Sequence, residues 1–209
     1  MSRSEQKLET RQRILDAAGR GFRKGGYDGI GVDGLAKQAG VTSGAFYVHF
    51  ASKAAAFRES VIQGVSDVVR GVQHFQAEHG KNWWEEFVRF YLAKRKCDLS
   101  ESCGLQSLTP EVARADTESR SAFTAELLKV ANAIIAGPPS AGAPSTIEEA
   151  QAALSTLIGA VTLARAVDDP AIAKRIATAA EHALLMSSSK QKTKSTSAKP
   201  RLRRSRAER

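Results

Sequence analysis

Three features of the sequence predict an all-α fold. Apolar residues recur at three- and four-residue intervals over most of the chain, no period-two alternation persists, and no Asn-Gly or Asp-Gly turn joins two β-branched runs. The first helix is expected to take Thr10 as its N-cap and to carry Ile14, Leu15, Ala18 and Phe22 on one face. It should end at the glycine pair Gly25-Gly26. Two short helices follow, one over residues 32–39 with Leu35 and Ala36 on one side and one over 42–50, with Gly40 between them. Ser52 is a suitable N-cap for a long fourth helix through Val61, Val65, Val68, Val69 and Val72, and Gly80 closes that region.

The second half continues the pattern. Residues 83–96 place Trp84, Phe87, Val88 and Tyr91 at helical spacing, and a loop with both cysteines comes next. Further helices are expected over about 109–115 and 118–136, before the breaker run GPPSAGAPS at 137–145. Ser145 with Glu148, and Thr146 with Glu149, both have the spacing of a capping box, so a helix should start there and run to about Val167. Asp169 as N-cap and Pro170 in the first helical position open a last helix that reaches about Met186. Beyond it, residues 187–209 hold Leu202 as the one sizeable apolar side chain, too little to offset the entropy of ordering, and are expected to be a disordered basic tail. This gives an N-terminal helical unit at 1–52, a larger helical unit at 53–186, and the tail.

Composition narrows the function. The chain has 209 residues with 42% apolar and 25% charged side chains, as globular proteins do. No run approaches the ~20 consecutive apolar residues of a membrane-spanning helix. The polar N-terminus lacks the apolar segment of a secretion signal, so a cytoplasmic protein without a membrane partner is expected. Cys97 and Cys103 are too few for a disulfide scaffold, and their spacing matches no common zinc pattern; no metal or cofactor is expected. No G-x-S-x-G, P-loop or dinucleotide fingerprint is present, which argues against an enzyme. The net charge of +9 is concentrated in the tail, where nine Lys or Arg face one acid, Glu208; residues 1–50 carry eight bases against five acids. That local excess suits a phosphate-facing surface.

The segment VDGLAKQAGVTSGAFYVHF at residues 32–50 has the features of a helix-turn-helix. Ala36 is small where two helices must cross closely, and Gly40 sits where the turn requires a left-handed backbone. Leu35, Val41 and Phe46 point inward to lock the crossing. Ser43, Gly44, Tyr47, Val48 and His49 are left on the outer part of the second helix, the part that enters a major groove in such units. Small groups at Ser43, Gly44 and Ala45 allow close approach to base edges, while Thr42 caps a helix N-terminus that favours phosphate.

Residues 10–57, TRQRILDAAGRGFRKGGYDGIGVDGLAKQAGVTSGAFYVHFASKAAAF, resemble the TetR-type (tetracycline-repressor) family of bacterial transcriptional regulators. The resemblance implies an N-terminal three-helix DNA-binding domain, a larger C-terminal domain for ligand binding and dimerisation, and a palindromic operator released by a small-molecule effector. It implies that Thr42 and Tyr47 contact phosphates, that Ser43, Ala45 and His49 face base edges, and that Lys53 reaches the backbone. Gly31 departs from the pattern, because relatives commonly hold Thr or Ser there to cap the second helix. Each assignment has a plainer alternative. Lys53 opposes the positive end of its own helix dipole, which a phosphate partner would explain, but a solvated lysine also fits. Tyr47 is otherwise a half-buried core ring, and His49 a helix end. Arg3, Lys7 and Arg11 form either a phosphate-binding arm or a solvated terminus.

Residues 147–167 are apolar almost all round, so the last two helices are expected to pack against a second copy in a two-fold homodimer; the alternative is burial within one subunit. Trp84, Phe87 and Tyr91 are candidates for an aromatic effector cavity, or for ordinary core. Cys103 is a candidate redox- or electrophile-sensing thiol if Lys94, Arg95 and Lys96 approach it and lower its pKa. The reading is a ligand-responsive repressor, with a non-specific architectural DNA-binding protein and a thiol-controlled regulator as alternatives.

Overall fold

The computed structural model describes residues 2–186, and every regular element within them is helical. The order is α1 (Arg3–Gly25), α2 (Val32–Ala39), α3 (Ser43–His49), α4 (Lys53–His79), α5 (Trp83–Ala93), α6 (Gly104–Val112), α7 (Thr117–Ile135), α8 (Ile147–Ala166) and α9 (Pro170–Met186). Single 3-10 turns occupy Gly80–Asn82, Lys94–Lys96 and Leu99–Glu101. None of these helices is long and apolar enough to cross a membrane. The predicted tail lies outside the described residues.

Three element boundaries differ from expectation. α1 starts two turns before Thr10, because Ser2 and Glu5 form a capping box: the Ser2 hydroxyl accepts from the Glu5 N–H at 3.2 Å while the Glu5 carboxylate accepts from the Ser2 N–H at 2.7 Å. Arg3, Lys7 and Arg11 are therefore helical and not a loose arm. α5 tightens into a 3-10 turn after Ala93. α6 begins at Gly104, five residues before the expected start, and holds Pro110 in its last turn. The other caps match their sequence signals, with Thr42, Ser52 and Thr146 each accepting from the N–H three residues on. Asp169 accepts from the N–H groups of Ala171 and Ile172.

The N-terminal unit packs α1, α2 and α3 around Ile14, Phe22, Leu35 and Phe46, all buried, and closes on Phe57 of α4. The Phe22 and Phe57 rings meet edge to face at 5.3 Å, an arrangement that adds to the area each removes from water. α4, roughly 40 Å long at 1.5 Å per residue, carries the core onward through Val61, Val65, Val68 and Val72. α7 packs along α4, α5 inserts Trp83 and Trp84, and α8 and α9 close the far side. The buried apolar groups form one continuous cluster from α1 to α9.

α8 buries a single stripe within the subunit: Ala150, Ala153, Leu154, Leu157, Ala160, Val161 and Ala164. Its apolar character is thus partly accounted for by intrachain packing, the alternative weighed from sequence. Its other face is built of small groups with Leu163 60% exposed, and a Cβ at Gly159 would meet open space.

α4 and α6 cross at two glycines. A Cβ on Gly104 would stand 2.7 Å from the Gly64 Cα, closer than real side chains approach. Replacing Gly104 by Ala should force the helices apart and cost about 1 to 3 kcal/mol, the range of core overpacking. Gly71→Ala, where nothing lies within 4 Å, should instead stabilise α4 by roughly 0.5 to 1 kcal/mol. Thermal or denaturant unfolding of the two variants checks the opposite signs.

Candidate nucleic-acid interface

The corner between α2 and α3 is set by local chemistry. Gly40 ends α2 in the left-handed conformation, φ 68° and ψ 35°, where a side chain would be strained. Its N–H and that of Val41 return to the last turn of α2, at 3.1 Å from the Lys37 carbonyl and 3.0 Å from the Ala36 carbonyl respectively. Thr42 then caps α3, its hydroxyl accepting from the Ala45 N–H at 3.1 Å. Phe46 and Phe50, one turn apart, face the core and leave the rest of α3 outside.

The outward surface holds Thr42, Gly44, Tyr47 and Val48, with Tyr47 55% and Val48 68% exposed. The Tyr47 ring meets the buried Phe46 edge to face at 5.5 Å, so its body is anchored while its outer edge stands in water beside Val48. Ala45 is half-buried. Ser43 is not free: its hydroxyl donates to the Asp33 carboxylate of α2, which ties the first turn of α3 to its neighbour. The ammonium of Lys53 lies 4.3 Å from the centre of the Tyr27 ring, a cation–π contact that holds the side chain against the unit. His49 is half-buried with an unpartnered Nδ1, and its pKa is pulled below the ordinary histidine value by desolvation first and by Lys7 and Arg11 next. The imidazole is therefore neutral at neutral pH. Arg11 pairs with Glu59 at 2.5 Å and covers the Phe50 ring, so its charge is largely spent on α4. Gly31 supplies the α2 N-cap without any side-chain hydrogen bond.

On the other side of α1 a cavity of about 330 Å³ opens among α1, α4, α5 and α6. Phe87, Tyr91 and Cys103 border it, and so do Phe90, an aromatic of the same helix, and Arg23, which no local pattern of the sequence marks. Trp84 is not among its walls; it is fully buried and stacks on Phe87 from the core side. The Tyr91 hydroxyl donates to the Cys103 sulfur at 3.4 Å. Burial pushes the Cys103 thiol up, against the opposing pull of Tyr91 and backbone N–H groups, and lifts the Tyr91 phenol well above its usual range. The expected activation of Cys103 by Lys94 and Lys96 is not what the structure gives. A desolvated sulfur sits behind an aromatic wall, and the cation that acts on it is Arg23. Cys97 accepts from Arg165 at 3.0 Å, with the guanidinium also donating to the Lys94 carbonyl at 2.6 Å. Among the described residues no His, Cys, Asp and Glu group is arranged to hold a metal ion.

The arrangement as a whole is a helix-turn-helix joined to an all-helical domain that contains a cavity. Comparison with known proteins identifies its class further. Residues 14–59 match the family described as bacterial regulatory proteins, tetR family. An HTH-type transcriptional regulator of Bacillus subtilis, YdgC, is 34% identical over 86 residues, which cover 41% of this chain and 44% of that protein, so the match spans less than half the length of the relative. Among solved structures, the reduced form of Escherichia coli NemR superposes with a TM-score of 0.69 at 18% identity, covering 84% of this chain and 95% of NemR. A TetR-family regulator of Agrobacterium tumefaciens gives 0.70 at 15%, covering 86% and 99%. FadR of Bacillus subtilis, solved with stearoyl-CoA, gives 0.55 at 18%, covering 83% and 97%. Residues 14–59 thus match the tetR-family model, and the described chain shares its fold with solved TetR-type regulators.

The half-buried thiol on the cavity wall leads to a direct expectation. At pH 7 Cys103 should react with iodoacetamide more slowly than the same thiol in the urea-unfolded chain, since less of it is thiolate. Mass spectrometry of peptides after timed alkylation reads this, and equal rates in the two states would contradict the placement.

Proposed function

We propose that the protein is a homodimeric transcriptional regulator, a repressor released by a small effector, that binds a palindromic DNA operator through α3 of each subunit. The observation that carries the reading is the exposed face of α3 on a rigid corner, with Tyr47 and Val48 in water beside a capped helix N-terminus. Thr42 and Tyr47 hold phosphates and Gly44 and Ala45 let the helix approach base edges. Lys53 leaves the Tyr27 ring for a phosphate when DNA is present. Ser43 and His49 stay assigned to base edges, Ser43 after exchanging Asp33 for a base acceptor. The division between the DNA-binding unit and the effector domain falls at residues 52–53, within a shared core, so that α1 and α4 transmit changes between them. The outer faces of α8 and α9, which expose Ala152, Ser155 and Leu163 on α8 and Lys174, Arg175 and Met186 on α9, are the dimer surface, and such a regulator works in the cytoplasm with the DNA.

A regulator controlled by oxidation or alkylation of Cys103 is the second reading, favoured by the Tyr91–Cys103 contact inside the cavity. The raised thiol pKa favours reversible occupancy of the cavity instead.

Selection of bound duplexes from random DNA tests the proposal. The expected product is a palindrome with half-site centres about 10 base pairs apart or a multiple of that, as two-fold symmetry demands. Lys53→Gln should weaken binding to every sequence and reduce the slope of log K against log[salt] by about one phosphate equivalent, whereas Ala45→Ser should shift base preference. Enrichment of no motif would remove the operator-binding reading.

A further inference from the structure

Arg23 is a cation in an unusual setting. It lies in the last turn of α1, yet its side chain leaves the DNA-binding unit and forms part of the wall of the 330 Å³ cavity. Its Nε donates to the Ser100 carbonyl at 2.8 Å. Its guanidinium lies against Gly19, where an added Cβ would come within 3.2 Å of Nη1. Among the described residues no carboxylate forms an ion pair with it. Asp67, the acid that acts on it most, is paired with Arg70 one turn further along α4. Asp67 and Glu101 both border the cavity, Glu101 from the exposed 3-10 turn. The second cation of the cavity, Lys94, covers the Phe90 ring at 4.8 Å. Between these two bases the wall is aromatic: Phe87, Phe90 and Tyr91.

A half-buried guanidinium without a direct ion-pair partner is costly, because Asp67, itself paired with Arg70, offsets its desolvation only in part. Burial accordingly pulls the Arg23 pKa down, with Asp67 opposing. A guanidinium keeps its charge in any protein, so the remaining N–H groups stay available as a planar fork suited to a carboxylate.

We propose that the cavity takes a small organic anion, a flat apolar body carrying one carboxylate, and that Arg23 is the residue that reads the carboxylate. This deepens the effector-responsive reading above and rests on it for its regulatory meaning, but the binding step is independent of DNA. The apolar body stacks among Phe87, Phe90 and Tyr91, and the carboxylate accepts from the Nη groups of Arg23. The cavity lies near the small end of ligand sites, which run from about 300 to 1,000 Å³, so a single-ring acid fits its scale. Because Arg23 shares α1 with Ile14, Ala18 and Phe22, the core of the DNA-binding unit, an anion that recruits the fork pulls on the helix against which α2 and α3 are packed.

The test is calorimetric titration of the full chain, without DNA, by phenylacetate and by its neutral counterpart 2-phenylethanol. Phenylacetate should bind saturably and at least about tenfold more tightly than the alcohol, a ratio typical of one charge-assisted contact. Arg23→Gln should bring the acid down to the affinity of the alcohol, and Arg23→Lys should recover part of it, since a point charge replaces the fork. Equal affinity for acid and alcohol, no saturable heat with phenylacetate, or undiminished acid binding by Arg23→Gln would each overturn the proposal. The comparison of acid with alcohol on the unaltered chain needs no variant to fold. If the DNA selection fails while phenylacetate still binds through Arg23, the regulator reading falls and the anion site stands; the reverse result removes the anion site alone.

Discussion

The left-handed backbone at Gly40 and the complete burial of Phe46 together fix how α3 stands on α1, α2 and α4. A helix of seven residues is too short to hold itself in water, where isolated helices below ~12 to 15 residues are marginal. α3 persists because Phe46 and Phe50 are drawn into the shared core, Thr42 closes its first turn, and Ser43 is tied to Asp33. Removing Phe46 from water contributes about 1.5 to 3 kcal/mol, more than the loose end of such a helix would otherwise retain. The outward residues inherit this rigidity. Tyr47 and Val48 stay exposed in a defined orientation because their inward neighbours have no freedom to turn.

The same core continues without a break into the larger domain, and this continuity is what gives a cavity on the far side of α1 any purchase on α3. α1 carries the core of the DNA-binding unit on one face and sends Arg23 to the cavity from its last turn. Glu111 of α6 accepts from the Tyr27 N–H at 3.3 Å, a second tie between the cavity side and the N-terminal unit. The glycine crossing of α4 and α6 brings these two helices to backbone contact at the wall of the cavity. Allostery in the proposed reading is therefore a matter of short, packed distances.

Much of this was legible in the sequence, because the signals were local. The α2–α3 corner follows from Ala36, Gly40, Thr42 and Phe46, and the starts of α4, α8 and α9 follow from Ser52, Thr146 and Asp169-Pro170. The early start of α1 was also written in local chemistry, in the Ser2–Glu5 box, but no apolar stripe follows it and periodicity alone passes over it. α6 was misplaced because Thr109-Pro110 looks like a helix start and ends one instead. The site shows the opposite limit. Arg23 sits 77 residues from Ser100, whose carbonyl it meets, and no local pattern announces the pairing. Cys103 was expected to be activated by neighbours in sequence, whereas burial, a long-range property, governs its proton. Trp84 was chosen for its spacing, which places it on the core side of Phe87 and away from the cavity.

The most direct measurement of the central claim is the affinity of the full chain for a selected duplex and for the same duplex with its half-sites scrambled, at one physiological salt concentration. If α3 reads base edges from its fixed corner, the selected duplex should bind more tightly by a factor of about 10³ or more. A ratio near one would mean that the helix meets only phosphates, and would contradict the account.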